Sequence, residues 1–422
     1  MKKLRIFGIA FFFLSANSRA QEARRLTLQQ AEALFLQQNY LLLAQRYQVS
    51  ADEALVQQAK LWDNPSFSST FGFGTLEKVQ PFNMGSGGQF EGDIDQLIRL
   101  AGKRNKQVQL AQWNAATSAA AFNELMRTLR LQLRTSYYQL YFLKETEKVL
   151  KEQLNNLQII LDAYHAADAK GSVAHADVIR LQALQIGIAN DYTDLRQQEL
   201  AASENLQMIL GSPGPVEPLV EGDVLQQYKL NGYTEQALTD TALANRPDLQ
   251  MAGHQLKMAE ANYRLQKAMA VPDLHLGATY DRNGSYAPHF IGLTMGIDLP
   301  LWNRNQGNIK AAGSSLKVQG AALDQQRLAI AVEVNTALRK ISFLEKSTGW
   351  PDIKSFNGEY DKLIDEVAKN FRKGNISLLQ FIDYFNSYSD HVKHTNKFLN
   401  DRVLAYEELN YATGTQLFNT VQ

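Results

Sequence analysis

The chain has no cysteine. That excludes disulfides, thiolate metal sites and a lipid-modified cysteine near the N-terminus. It has no net charge either, since 43 basic residues balance 43 acidic ones. A nucleic-acid partner would favour a basic face, so that class is set aside. Beyond residue 20 no apolar run reaches the ~18 residues that a membrane-crossing helix needs. There is no nucleophile elbow, no phosphate-binding loop and no His-Glu-x-x-His motif, so an enzyme reading has nothing to stand on. With it goes any cofactor or metal centre.

What is present begins with a signal peptide over residues 1–20. Lys2, Lys3 and Arg5 form a basic end, residues 6–14 a short apolar run, and Ser18 and Ala20 a small-residue cleavage site. An exported chain with no further apolar helix is either soluble or a β-barrel, because only those leave no unpaired backbone in lipid.

The most informative stretch is 289–309. Ile291, Leu293, Met295, Ile297 and Leu299 alternate with Gly292, Thr294, Gly296 and Asp298, which reads as a strand with one fatty and one small, polar face. Pro300 ends the pairing. Trp302 is suited to a membrane interface. Asn303 and Asn305 are candidate caps for the long helical pattern after Asn308. A strand of about 10 residues crosses a bilayer when tilted. The stretch therefore reads as the junction between a membrane β-barrel and a helical body.

The remainder fits this junction. Residues 27–63 read as helix, broken by Asn64-Pro65. Phe67, Phe71 and Phe73 share one face of an alternating segment, opposite Ser66, Ser68 and Thr70, and a second alternating segment spans 90–97. These make a hairpin over about 66–98. An unbroken helical pattern follows to about Lys170, without Pro or Gly after Gly102. About 65 residues make a helix of roughly 100 Å, too long for a compact globule. Leu150, Leu154, Leu157 and Leu161 step as a heptad seam. Gly171 allows a turn, a helix returns to Leu210, and residues 212–232 read as an irregular insert.

Then the plan repeats. Residues 234–270 read as helix, 273–299 as a hairpin, and a long helical stretch runs from Asn308, turned at Gly374 and stopped at Gly414. At an offset of 207, Gln48, Glu53, Ala54, Lys60 and Pro65 match Gln255, Glu260, Ala261, Lys267 and Pro272. At 203, Ile94, Asp95 and Asn105 match Ile297, Asp298 and Asn308, and Gly171 and Gly211 match Gly374 and Gly414. We expect one repeat over 21–232 and another over 233–422. Gly349-Trp350-Pro351 interrupts the second long helix, where a kink or bulge is expected.

Two hairpins give four strands, whereas the smallest membrane barrels need about eight. An open edge cannot remain in lipid, so the barrel must be shared between chains. The fold class is mainly α with a small membrane β-barrel: a long antiparallel coiled-coil α-barrel plus four strands per protomer. The alternative is a soluble periplasmic coiled-coil scaffold, which would not need the outward Phe67, Phe71 and Phe73.

This layout resembles the TolC-like outer-membrane efflux channels over nearly the whole mature chain. Leu299-Pro-Leu-Trp-Asn-Arg-Asn-Gln-Gly-Asn-Ile309 and Leu100-Ala-Gly-Lys-Arg104 look like the branch that serves heavy-metal cation pumps, and Asn245-Arg246-Pro247-Asp248-Leu249 matches a recurrent family segment. The resemblance implies a homotrimer, a 12-stranded barrel in outer-membrane lipid and a periplasmic helical tunnel. It also implies a periplasmic adaptor and an inner-membrane, proton-driven pump as partners, with drugs or secreted polypeptide as the alternative cargo. Members lacking an N-terminal cysteine are held by the barrel alone.

It further implies that the adaptor docks at the tip turns, Lys170-Gly171-Ser172-Val173 and Lys373-Gly374-Asn375-Ile376. Asp177 and Asp383 stand at about the offsets where the family places aperture acids, and Gln380 at another. A carboxylate ring at a narrow mouth attracts cations; the alternative for each Asp is an ordinary helix-surface contact. His391 and His394, beside Asp390, have a metal-binding spacing, but a solvated helix face explains them as well. His165 and His175 flank the first turn and receive the same reading.

Overall fold

The computed structural model describes residues 23–72, 74–75, 78–79, 88–220, 228–230, 232–283, 287–346 and 353–418. The signal peptide expected at 1–20, Phe73 and Gly349-Trp350-Pro351 lie outside them.

The chain opens with β1 (Arg24–Leu26), α1 (Leu28–Gln38) and α2 (Tyr40–Ala59). Thr27 and Gln30 form a capping box that starts α1. The sequence reading took 27–63 as one helix; the structure breaks it at Asn39. That residue is extended, with ψ 117°, and its side chain accepts from Leu42 N–H, so α2 begins with a cap of its own.

Next come β2 (Ser66–Phe71), the short β3 (Gly74–Thr75) and β4 (Lys78–Val79), and β5 (Phe90–Ile98). The helix α3 (Lys103–Asp168) runs 66 residues, roughly 100 Å. α4 (His175–Leu210) returns along it and stops at Gly211, whose φ of +63° is the left-handed closure that glycine adopts without strain.

The segment expected to be irregular contains β6 (Val216–Pro218), which pairs in parallel with β1. Three-residue strands carry too little pattern to be read from sequence. The Tyr137 hydroxyl reaches the carbonyls of Leu26 and Leu219 at 3.0 and 2.8 Å, pinning this pair to α3.

The second half holds α5 (Glu235–Asn245), α6 (Pro247–Met269), β7 (Leu274–Asn283), β8 (Pro288–Ile297), α7 (Gln306–Lys346), α8 (Ile353–Arg372) and α9 (Leu378–Thr413). Here too an expected single helix, 234–270, is two. Pro247 is the first residue of α6, and it forces Arg246 before it into extended backbone with ψ 124°.

Four strands form one antiparallel sheet in the order β2-β5-β7-β8. The register sets Phe67 beside Ile94, Ile94 beside Ala278, and Ala278 beside Leu293. Because strand faces alternate, one face carries Phe67, Ile94, Leu276, Ile291, Leu293 and Met295, and the other carries Ser68, Asp93, Asp95, Thr279 and Thr294. Among the described residues the outer sides of β2 and β8 pair with nothing.

α3 is the spine of the helical body. It packs on α2 and α4 along one flank and on α6 and α9 along the other, and α7 packs on α6 and α9. The short helices are stacked end to end beside the long one: the α1–α2 break meets the end of α4 where Gly211 lies against Gln38. The core has two parts. One joins α1, α3, α4, α7 and α9 around Leu133, Tyr137 and Tyr406; the other, toward the tip, is built on Leu150, Leu157 and Leu181 of α3 and α4 with Phe371 and Phe381. Leu150 and Leu157 of the heptad seam are fully buried and Leu154 is partly so. Among the described residues no helix is long and apolar enough to cross a membrane.

Candidate functional site

Three regions position the residues singled out above: the sheet, its junction with the helices, and the far turns. On the sheet, Phe67, Ile291 and Met295 are largely exposed, and Leu293 is 89% exposed. So large an apolar face open to solvent marks a surface made to be covered. Phe71 is half-buried against Phe90. The opposite face is polar: His275 Nδ1 lies 2.9 Å from Asp95, and Thr279 donates to Asp93 at 2.5 Å.

At the junction Trp302 stands 87% exposed, just past the end of β8. The Leu100–Arg104 segment owes its composition to a turn. Ala101 and Gly102 are both left-handed, with φ +53° and +65°. Asp273 clamps that turn, accepting from Leu100 N–H at 2.9 Å and from the buried Lys103 ammonium at 2.7 Å. Asp63 holds Arg99 at 2.6 Å, and Arg104 stacks on Trp62. Asn305 was expected as a helix cap. It is instead left-handed, with φ +58°, and its amide turns to Gln266, donating to the backbone carbonyl at 2.7 Å. An αL residue before the helix cannot aim its side chain at the first-turn N–H groups as an extended cap does, so Asn305 acts as the counterpart of Gly102, 203 residues earlier. Asn303 accepts from Asn305 N–H at 3.1 Å, closing the turn rather than capping α7.

The two far turns are alike. Ser172 N–H donates to Ala167 C=O and Asn375 N–H to Asn370 C=O, each at 2.9 Å. Gly171 and Gly374 are left-handed, with φ +68° and +76°. Val173 and Ile376 tuck against the tip core, while Lys170, Ser172, Lys373 and Asn375 stay exposed. Asp383 is exposed on α9 near the Tyr360 hydroxyl. Asp177 sits in the first turn of α4, 3.5 Å from Arg180. The Gln380 carboxamide is engaged in a capping box with Ser377.

The histidines are spread out. His391 packs on Tyr360 and His394 is exposed; His175 lies 2.8 Å from Asp168, and His165 3.3 Å from Gln182. Among the described residues no three His, Asp or Glu side chains gather as a metal site.

Two buried ionic knots lie in the middle of the body, and sequence reasoning identified neither as a knot. Arg134, about 1% exposed, is held by Glu32 and Glu407 at 2.7 Å each, and the Tyr228 hydroxyl donates to Glu407 at 2.6 Å. Arg246 is held by Asp248 and Glu333 and donates to Ala412 C=O at 3.2 Å. Burial works against the charge on Asp248, but Arg246 and Arg127 beside it outweigh burial and hold its carboxyl below the ordinary range. Burial, reinforced by Glu345, pushes the Tyr406 hydroxyl up to about 12. The signal that pointed here was the Asn245–Leu249 segment, whose Arg, Pro and Asp the structure assigns to a knot, a helix start and a clamp.

Among the described residues the sheet is unpaired at both edges and bare on one apolar face, and it is joined to a helical body roughly 100 Å long. The model of the outer membrane efflux protein family matches twice, over residues 31–212 and 238–415. The chain belongs to the outer membrane efflux protein family. This is a family of outer-membrane channels rather than enzymes, with the helical body in the periplasm, which sets the soluble-scaffold alternative aside. The chain is 25% identical over 269 residues to the pyoverdine export outer membrane protein OpmQ of Pseudomonas putida, covering 61% of this chain and 55% of that one. It is 26% identical over 257 residues to the cation efflux system protein CusC of Escherichia coli, covering 57% and 52%. The chain thus spans about half the length of these curated relatives. A crystal structure of CusC shares the fold, with a TM-score of 0.74 at 18% identity, covering 92% of each chain.

Proposed function

We propose that the chain is the outer-membrane exit duct of a tripartite efflux system. It forms a homotrimer whose three four-stranded sheets close a 12-stranded barrel over a continuous helical tunnel, each protomer contributing tandem repeats 21–232 and 233–422. The observation that carries this is the unpaired outer sides of β2 and β8 beside the bare apolar face of Phe67, Leu293 and Met295. An edge in lipid must be paired, and four strands cannot pair their own edges. The tip turns at Gly171 and Gly374 receive a periplasmic adaptor. An inner-membrane pump of the proton-driven RND type supplies the cargo, and the duct itself carries out no chemistry.

The cargo is heavy-metal cations. The Leu299–Ile309 resemblance and the likeness to a cation efflux system protein support this. An organic cargo is the second reading, favoured by the likeness to a pyoverdine exporter. The test is the susceptibility of a deletion strain to cobalt, zinc, cadmium, copper and silver salts beside dyes, bile salts and antibiotics. Sensitivity confined to metals is expected. Sensitivity to organic compounds alone overturns the metal assignment and leaves the duct.

A further inference from the structure

Glu199 occupies an apolar position of a helix seam. From Leu195 the buried face of α4 continues through Glu199, Ala202, Leu206 and Ile209, stepping 4, 3, 4 and 3 as a coiled-coil core does. Every other member is apolar. Yet the Glu199 side chain is turned inward and the residue is only 3% exposed.

A second carboxylate faces it. Glu147 of α3 shares a guanidinium with Glu199 across the two helices. One nitrogen, Arg196 Nη1, donates to both, to Glu147 Oε1 at 3.0 Å and to Glu199 Oε2. The Tyr192 hydroxyl donates to Glu147 Oε1 at 3.2 Å. The other nearby cation, Lys144 of α3, is already bound to Glu217 of β6 at 3.3 Å, which Arg25 of β1 also holds at 3.0 Å. Two carboxylates therefore share one guanidinium. Glu199 Oε1 is buried, and among the described residues no donor bonds to it.

A buried acceptor without a donor, beside a like-charged neighbour, is satisfied when one of the two carboxyl groups holds a proton. We propose that Glu147 and Glu199 bind one proton between them, and that this proton closes the seam between α3 and α4. The proton sits on one carboxyl oxygen and is donated to the other carboxylate, which supplies the missing bond across the helices. A divalent cation fits the site less well, because Arg196 already donates to both carboxylates and would repel it. When the proton leaves, two charges with one counter-ion remain at the seam, the one on Glu199 buried, and α4 is pushed away from α3. The site lies roughly three turns from Gly211, on the helix whose other end begins just after the first tip turn. The surroundings act in the same direction: burial first, then Glu147, raises the Glu199 carboxyl above its ordinary value.

Hydrogen exchange at the amides of residues 192–206, on the full-length protein in detergent from about pH 5.5 to 8.5 and corrected for intrinsic rates, tests this. In the wild type, protection falls as pH rises, by up to about tenfold per pH unit above the folded pKa. Glu199→Gln keeps the shape and brings its own donor, so its protection stays high and level with pH. Glu199→Leu, which fills the seam with carbon, is level too and serves if the amide variant does not fold. Glu147→Gln removes the repulsion and also flattens the profile. The same pH dependence in the wild type and the Glu199 variants overturns the proposal. So does recovery of wild-type protection at high pH on adding magnesium or zinc, which would make the pair a cation site.

Discussion

Asn39 and Arg246 do the same work 207 residues apart. Each is the extended residue between two short helices, and each sends a side-chain N–H into the last turn of a returning helix: Asn39 to Ile209 C=O at 2.8 Å, Arg246 to Ala412 C=O at 3.2 Å. The helix end it meets closes at Gly211 in the first case and at Gly414 in the second. Asn39→Ala removes both the cap on α2 and the donor to a buried carbonyl. A lost cap costs about 1 kcal/mol and an orphaned buried acceptor about 1–3 kcal/mol. We expect a clear fall in the thermal midpoint of the full-length protein in detergent, against little change for the exposed Ser50→Ala. Equal midpoints for the two variants would show that Asn39 does not lock this contact.

Gly211 and Gly171 are both left-handed, yet alanine has different consequences at each. At Gly171 a Cβ meets nothing within 4 Å, so only backbone strain is added, about 1–2 kcal/mol. At Gly211 a Cβ would stand 2.4 Å from the Gln38 carbonyl oxygen, and backbone has no rotamer by which to move aside. Gly211→Ala is expected to destabilise well beyond Gly171→Ala, measured as the difference in thermal midpoints. Similar losses would mean that the approach of α4 to the α1–α2 break relaxes freely.

Asp248 makes the acid side of the stability profile. Its folded pKa lies below the unfolded value of about 3.9, because Arg246 and Arg127 outweigh the cost of burial. A depressed carboxyl contributes stability that is fully present above the unfolded pKa and is lost as pH falls through the folded one. Asp248→Asn should therefore be less stable than the wild type at neutral pH, with the two curves converging in acid. A difference that persisted unchanged down to about pH 2 would assign the loss to packing instead of charge.

For the aperture, the exposed carboxylate of Asp383 is the group to remove. If three copies ring the mouth of the tunnel, Asp383→Ala raises single-channel conductance in a planar bilayer and weakens block by multivalent cations. Conductance and block that match the wild type would remove Asp383 from the aperture.

Much of the architecture was legible because its signals are long. A helix without Pro or Gly after Gly102, ending near Lys170, appears as α3, Lys103–Asp168. The alternation in Ile291, Leu293 and Met295 appears as β8, with those three side chains largely exposed on one face. The misses are all short or coupled to distant partners. The breaks at Asn39 and Arg246 were read through, since one extended residue hardly disturbs an apolar period. The parallel pair β1–β6 joins residues 192 apart, with three residues on each side. The partners of Arg134, Glu32 and Glu407, stand 102 and 273 residues away, and nothing local marks them as partners.

The sequence by itself determined periodicity and punctuation: which segments are helix or strand, which strand face is apolar, and where glycine turns the chain. Those follow from backbone sterics and side-chain alternation, which act over a few residues. Only the tertiary structure decided what the polar residues inside the body do. Whether Lys103 is a surface charge or a buried clamp on Asp273, and whether Glu199 is a solvated helix residue or a carboxylate sealed in a seam, depends on which helix lies opposite. The reason is energetic. A buried charge is tolerated or costly according to its partners, and chain folding, not sequence proximity, brings those partners within reach.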